Sequence, residues 1–379
     1  MHFTALYGKQ RYGFDVSKGD IMGFNTDIQL SDMLNLENIT FGLGASYVGR
    51  TESTVGDMDY DKLTNAFSAR ANISKGNFYA SAEYVNKGKD AVFMFNQVQN
   101  VKSGNALLFN TGYAKEGVGV AATFRRMENM NFYSNREAWG NQYNENIINY
   151  VPALTKQHDY LLTNIYVYQA QGAFSFQDPT LMKAGEIGGQ MDFYYKWKKG
   201  TALGGKYGTK IAVNASYWAG LAGDYNFSDF DYNTDFFGFG EKYFSDISIE
   251  IRKKWSEQWS SIFYYVNQSY NRRYIEERVG KVNADILVAE ATYKMPKGKS
   301  LRFEAQHLWT NDDKKNWVGA TCEFYLNSKL SFYANDIYNY GNDEKEAQIH
   351  YYNVGCVYTS GKQRFSLNYG RQRGGLLCV

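Results

Sequence analysis

Ile39-Thr40-Phe41-Gly42-Leu43-Gly44-Ala45-Ser46-Tyr47 carries an apolar side chain at every odd position and a small or polar one at every even position. A period of two is that of a β-strand with one greasy face. The next run repeats it: Leu63, Phe67, Ala69, Ala71 and Ile73 oppose Thr64, Ser68, Arg70, Asn72 and Ser74. After Lys75-Gly76-Asn77 the parity restarts, with Phe78, Ala80, Ala82 and Tyr84 against Tyr79, Ser81 and Glu83. Later runs behave alike. Met191, Phe193, Tyr195 and Trp197 oppose Gln190, Asp192 and Lys196, and Ile247, Ile249 and Ile251 oppose Ser248, Glu250 and Arg252. Leu301, Phe303, Ala305 and Trp309 oppose Arg302, Glu304 and Gln306, and Phe365, Leu367 and Tyr369 oppose Arg364, Ser366 and Asn368.

These runs are roughly 10 to 14 residues long, where soluble strands average five or six. Ten residues at about 3.3 Å each, tilted near 45°, cover about 24 Å, the height of the apolar band of an outer-membrane barrel. The connections point the same way. Tight links near 75–77, 115–117, 200–207, 255–257, 295–299, 327–328 and 359–361 alternate with longer ones at 51–60, 87–102, 127–185, 220–242, 272–280, 311–315 and 338–345. A closed meander sorts short turns to one rim and long loops to the other, whereas the Greek-key crossovers of a sandwich do not. Pro152, Pro179 and Pro296 all fall in connections, as a sheet without free edges requires.

The predicted fold is therefore all-β, a large antiparallel up-and-down transmembrane β-barrel with about 16–18 strands present. It forms one domain over 1–379, with a long inserted loop or plug at about 127–185. Bacterial single-chain barrels have even strand counts, while the runs here number about 17. Both termini, Met1-His2-Phe3-Thr4 and Leu376-Leu377-Cys378-Val379, stop inside strand-like runs. The chain is thus expected to be a piece of a longer one, truncated at both ends.

The 379 residues include 33 Tyr, 25 Phe and 7 Trp, with 36 Gly and 3 Pro. So many aromatics exclude a disordered chain, and so few prolines exclude a collagen-like one. The net charge of +2 gives no reason to expect nucleic acid. No uninterrupted apolar run approaches the ~18 residues of a membrane helix, whereas the alternation of a barrel averages to a polar score. Cys322, Cys356 and Cys378 form no disulfide framework, and with His2, His158, His307 and His350 they show no zinc spacing, so neither metal nor cofactor is expected.

With apolar faces on lipid, the polar faces line the interior. The candidate lumen-lining residues are Arg70, Glu83, Arg125, Asp192, Lys196, Glu250, Arg252, Glu290, Arg302, Glu304, Glu323 and Arg364, with Lys294 in the same phase. Two readings stand side by side: cross-strand ion pairs filling a wet lumen, or a selectivity lining for a polar solute. Aromatics near strand ends, among them Tyr47, Tyr84, Tyr113, Trp197, Tyr217, Trp218, Trp309, Trp317 and Tyr358, read as interfacial girdles. The aromatic-rich stretch 224–243 is either such a loop or a sugar-stacking platform.

No catalytic constellation stands out, and no enzyme activity is expected. Gly204-Gly205-Lys206 has Tyr207 where a phosphate-binding loop needs Ser or Thr, and reads as a turn. His307 and His350 share the lipid-facing parity, and His158 has no neighbouring nucleophile in sequence. The 127–185 link is too long to lack structure of its own. Its middle, 144–171, is expected to cover the mouth, plug the lumen or add a hairpin.

The stretches Tyr7-Gly8-Lys9-Gln10-Arg11, Asn149-Tyr150-Val151-Pro152-Ala153-Leu154-Thr155-Lys156-Gln157-His158, Leu203-Gly204-Gly205-Lys206-Tyr207-Gly208-Thr209 and Tyr369-Gly370-Arg371-Gln372-Arg373-Gly374-Gly375 place the chain beside a known group. Together they resemble an uncharacterised Bacteroidetes outer-membrane β-barrel family carrying a domain-of-unknown-function label. The resemblance spans nearly the whole chain. It implies a large barrel in the outer membrane of a Gram-negative bacterium and supplies no catalytic residues. Members continue beyond the position of Cys378 with a second nearby cysteine, which this chain lacks, so no local disulfide carries over; the terminal aromatic of many barrels is also absent. The expected function is a channel or transporter for small polar solutes, with outer-membrane lipid as its surroundings and a protein partner as a further option. Two alternatives remain: a non-conducting barrel acting as surface adhesin or secretion or assembly accessory, and a soluble secreted glycan-binding β-protein.

Overall fold

The computed structural model describes residues 1–54, 59–95, 97–138, 146–158 and 160–374. Cys378, the C-terminal residues 375–379 and residues 144–145 of the long link lie outside them.

Among the described residues, seventeen strands form one antiparallel meander. They are β1 (His2–Gly8), β2 (Asp20–Gln29), β3 (Ile39–Thr51), β4 (Leu63–Lys75), β5 (Phe78–Met94), β6 (Gln97–Lys115), β7 (Val118–Glu128), β8 (Gly185–Trp197) and β9 (Thr209–Asn226). The rest are β10 (Asp231–Lys254), β11 (Trp259–Asn271), β12 (Lys281–Lys294), β13 (Ser300–Trp309), β14 (Trp317–Tyr325), β15 (Leu330–Tyr338), β16 (His350–Ser360) and β17 (Gln363–Gly370). Each pairs with its sequence neighbours, and β7 meets β8 across the long insertion, in a register that sets Arg125 opposite Gly188. β1 pairs with β2 and β17 with β16, and no ladder joins β1 to β17 among the described residues. The all-β up-and-down architecture and the strand number are those the periodicity predicts.

Tight turns at 76–77, 116–117, 255–258, 326–329 and 361–362 close one rim, while 9–19, 129–184, 272–280, 310–316 and 339–349 lie at the other. Two expected long loops are instead strand. β5 continues to Met94 and β6 begins at Gln97, and β9 and β10 run to a hairpin at 227–230. The cause is β-bulges: register shifts between Lys87 and Asp90, and at three steps between Trp218 and Gly223, throw the side chains out of phase while the ladder continues. Alternation is lost there, but the strand is not.

Register places the apolar parity set on one face. Ile247 and Phe303 are 56% and 51% exposed, and Met191, Phe263, Phe67 and Leu367 are exposed with them. Among the described residues, no second sheet covers this face. No helix there is long and apolar enough to cross a membrane. A continuous band of exposed large apolar side chains is what a lipid-facing strand surface presents.

The opposite face departs from expectation. Near the long-loop rim it is apolar and dry over β9–β15: Trp218, Tyr264, Val266, Val282, Ile286, Val288, Leu308, Trp317 and Ile337 are all buried there. Trp218 and Trp317, expected in the interfacial girdle, belong to this core because the inserted segment packs on them. Tyr84, Tyr113, Tyr217, Trp309 and Tyr358 do stand exposed.

Candidate functional site

The 129–184 segment is held against the sheet at three places. On the β3–β5 side, the Arg136 guanidinium donates to the Glu52 and Asp61 carbonyls at 2.7 and 2.8 Å and to Asp90 Oδ1 at 3.0 Å. Arg50 grips the same Asp90 with both oxygens at 2.7 Å and reaches Tyr133 O at 2.8 Å. Lys87, fully buried, donates to Asn131 O at 2.6 Å. Three buried cations around two carboxylates cost desolvation; Arg50 and Lys87 are satisfied in part by carbonyls of the segment, and Arg136, from the segment, by carbonyls of the β3–β4 connection.

The middle hold sits where the segment leaves and rejoins the sheet. Arg125 near the end of β7 and Glu186 at the start of β8 form a buried ion pair at 2.6 Å. Glu186 also accepts from the Tyr168 hydroxyl at 2.6 Å and the Gln171 N–H at 2.5 Å, while Arg125 donates to Pro152 O at 2.7 Å and lies over the Trp218 ring. Burial first, and then the Glu186 charge, push the Tyr168 phenol well above its ordinary value, so it remains a donor. Gly185 makes this geometry possible: its φ is +154°, and a Cβ there would meet Met127 O at 1.9 Å. Gly185→Ala is expected to cost about 2 kcal/mol through backbone strain, seen as a lower unfolding midpoint with the ladder on either side retained.

The third hold is an apolar wedge. Tyr160, Leu162, Ile165, Tyr166 and Tyr168 pack on the dry wall of β9–β15. Two backbone bonds fix the depth: Leu162 N donates to Gln306 Oε1 at 2.8 Å, and Gln268 Nε2 donates to Tyr166 O at 2.9 Å. Fully burying each large apolar side chain contributes about 1.5–3 kcal/mol. Burial, and then the Glu290, Glu250 and Glu304 carboxylates, push the Tyr160 phenol up to about 12.

All twelve candidate lining residues share, by ladder register, the face of the sheet on which the segment packs. Arg302 gathers Glu290 at 2.8 Å, Glu323 at 3.1 Å and Glu304. Arg70 bonds Asp27 at 2.9 Å and faces Glu83 at 3.7 Å; Glu250 holds Arg252 at 2.5 Å. Asp192 meets Lys156 of the segment at 3.7 Å, and Arg125 belongs to the middle hold. Lys196 and Arg364 are exposed and join no ion pair among the described residues. Sequence reading missed Arg50, Glu52, Lys87, Asp90, Arg136 and Glu186: Lys87 and Asp90 flank a bulge, Glu186 borders the insertion, Arg136 lies within it, and Arg50 and Glu52 stand at the end of β3, where only the folded chain brings Asp90 and Arg136 to them. A signal for the dry wall was present: the runs 263–266 and 286–289 are apolar at both parities, the mark of a strand buried on two sides.

In the 224–243 stretch, Tyr225, Phe227, Phe230 and Tyr232 are occupied by Phe174 and Phe176, while Phe237 and Phe239 stay exposed. His158 lies against the Tyr264 hydroxyl. Among the described residues no group of three or more His, Cys, Asp or Glu is placed to hold a metal.

Two cavities remain beside the segment. One, of about 530 Å³, lies between residues 155–168 and the wall at β10, β15 and β16; the other, of about 550 Å³, opens between the segment and the long-loop rim at Arg272 and Asp313. They share Asn164, Tyr166, Val167 and Arg373.

A family model described as a family of unknown function (DUF6029) matches residues 1–379. No curated protein matches the chain. Among solved structures, a triple mutant of the Rhodopseudomonas blastica porin is similar at 10% identity, TM-score 0.32, over 97% of this chain and 100% of that one. Wzi of Escherichia coli, an outer-membrane protein of group 1 capsule assembly described as a carbohydrate-binding β-barrel, is similar at 9% identity, TM-score 0.30, over 89% of this chain and 78% of that one.

Proposed function

The chain belongs to the DUF6029 family of unknown function, so its role is argued from geometry, and we propose that it is an integral outer-membrane barrel that passes small polar solutes along a route narrowed by its own inserted segment. The observation that carries this reading is the segregation of the two faces. Exposed Ile, Phe and Leu fill one side, and ion pairs, amides and the segment fill the other. Such a sheet is stable with hydrocarbon outside and water within. The two adjoining cavities are the candidate route, and the ion pairs around Arg302 make the same face of the sheet polar nearer the tight-turn rim. The proposal is non-enzymatic.

A second reading has its own support: the segment is bonded to opposite parts of the wall, by Arg136 on one side and by its apolar wedge on the other, which suits a non-conducting barrel with an adhesive or assembly role. Purification and planar-bilayer recording separate the readings. We expect the chain to require detergent and to show conductance steps well below those of an unobstructed barrel of similar strand number. Insertion without current would favour the non-conducting barrel. A monomer stable without detergent would favour the soluble glycan-binding alternative and remove the membrane reading altogether.

A further inference from the structure

The two adjoining cavities are lined by six basic side chains against three carboxylates, His158 apart. Over the whole chain the counts nearly balance, 41 to 39, so the excess is local. The carboxylates are already engaged: Asp313 and Glu276 both accept from Arg272, at 2.6 and 3.3 Å, and Asp246 accepts from the Ser216 hydroxyl. Lys156 is answered by Asp192. Arg278, Lys314, Arg371 and Arg373 make no ion pair among the described residues, and Arg373 lies in the field of the Asp313 and Glu276 carboxylates that Arg272 already holds.

Two of these occupy decisive places. Arg373 Nη2 donates to Asn164 O at 3.0 Å, within the stretch that both cavities share. Arg371 lies over the Tyr351 ring, 5.6 Å from its centroid, at the wall of the cavity against β10, β15 and β16. Fixed cations in a space bounded by low-dielectric walls raise the local concentration of anions and repel cations. Guanidinium groups cannot lose their charge at ordinary pH, so the bias does not titrate away.

We propose that the stretch between the two cavities is an anion filter, and that the solutes carried are small anions. This deepens the solute-route reading of the previous subsection and rests on it. The two fail in distinguishable ways.

The test uses the full chain in planar bilayers under a tenfold KCl gradient. Chloride is expected to permeate several-fold better than potassium. Replacing both filter arginines, R371Q with R373Q, is expected to bring the ratio close to one while conductance persists. Should that variant fail to insert, R278Q with K314Q at the rim is expected to lower the ratio by a smaller factor. K329Q, in a tight turn of the opposite rim, is expected to leave it unchanged. A wild type that prefers potassium, or a ratio unmoved by the filter variants, overturns the filter and leaves the route intact. A wild type that inserts and passes no current overturns both.

Discussion

Replacing Glu186 with alanine is expected to release the inserted segment and raise conductance severalfold, at a stability cost of about 3–5 kcal/mol, the usual result of removing one partner from a buried ion pair. The loss has two sources. Arg125 keeps its charge in a buried place with only Pro152 O and the Trp218 face for company, and the Tyr168 hydroxyl and Gln171 N–H lose their acceptor. Unsatisfied buried donors cost about 1–3 kcal/mol each, so those two bonds alone account for a large part of the total. Glu186→Gln, which keeps an acceptor and drops the charge, should fall between wild type and alanine. Arg125→Met combined with Glu186→Leu should recover most of the stability, because an apolar pair of similar size leaves no stranded charge. Denaturant unfolding in detergent reads the energies, and single-channel recording reads the release. Full stability and unchanged conductance in Glu186→Ala would mean that the other two holds suffice.

Ile249→Arg is expected to cost about 2–4 kcal/mol of folding into vesicles, the depth-dependent cost of a cation on the lipid face of a barrel. Ile249 lies in the C-terminal part of β10, opposite Tyr265 at the middle of β11 and Val213 of β9, is exposed, and is flanked by Ile247 and Ile251. The sign discriminates between environments. In a sheet whose apolar face meets water, an exposed isoleucine turned to arginine changes stability by no more than about 0.5 kcal/mol and helps solubility. Urea titration of vesicle-folded protein, with a gel shift to count the folded fraction, gives the number. A cost near zero would remove hydrocarbon from the outer face.

The legible part of this molecule is the part with clean two-sidedness. The strands around Ile39 and Leu63 were open to reading because small or polar side chains hold every second place, and parity alone assigned Arg70 and Glu83 to one face. Where Val266, Ile286 and Val288 face inward, both sides of the strand are apolar, and no rule of alternation tells lipid from dry interior; only the partner segment does. The bulges after Lys87 and Trp218 concealed long hairpins as loops. The segment itself carries neither period, since Tyr160, Leu162 and Tyr168 are spaced by what they touch across the sheet and not by any regular element. Glu186 was invisible for a related reason: its value lies in Arg125, Tyr168 and Gln171, brought together from 15 to 61 positions away.

Leu162 bonds a residue 144 positions later, and Arg373 bonds one 209 positions earlier. Contacts of such separation bear on the order of assembly. Bringing distant parts of a chain together costs closure entropy before any contact offsets it, and here the wedge has no apolar surface to rest on until β9 to β15 exist. Docking of the wedge is therefore expected to come late in folding, after β9 to β15 have paired, while the holds on β3–β5 can form earlier.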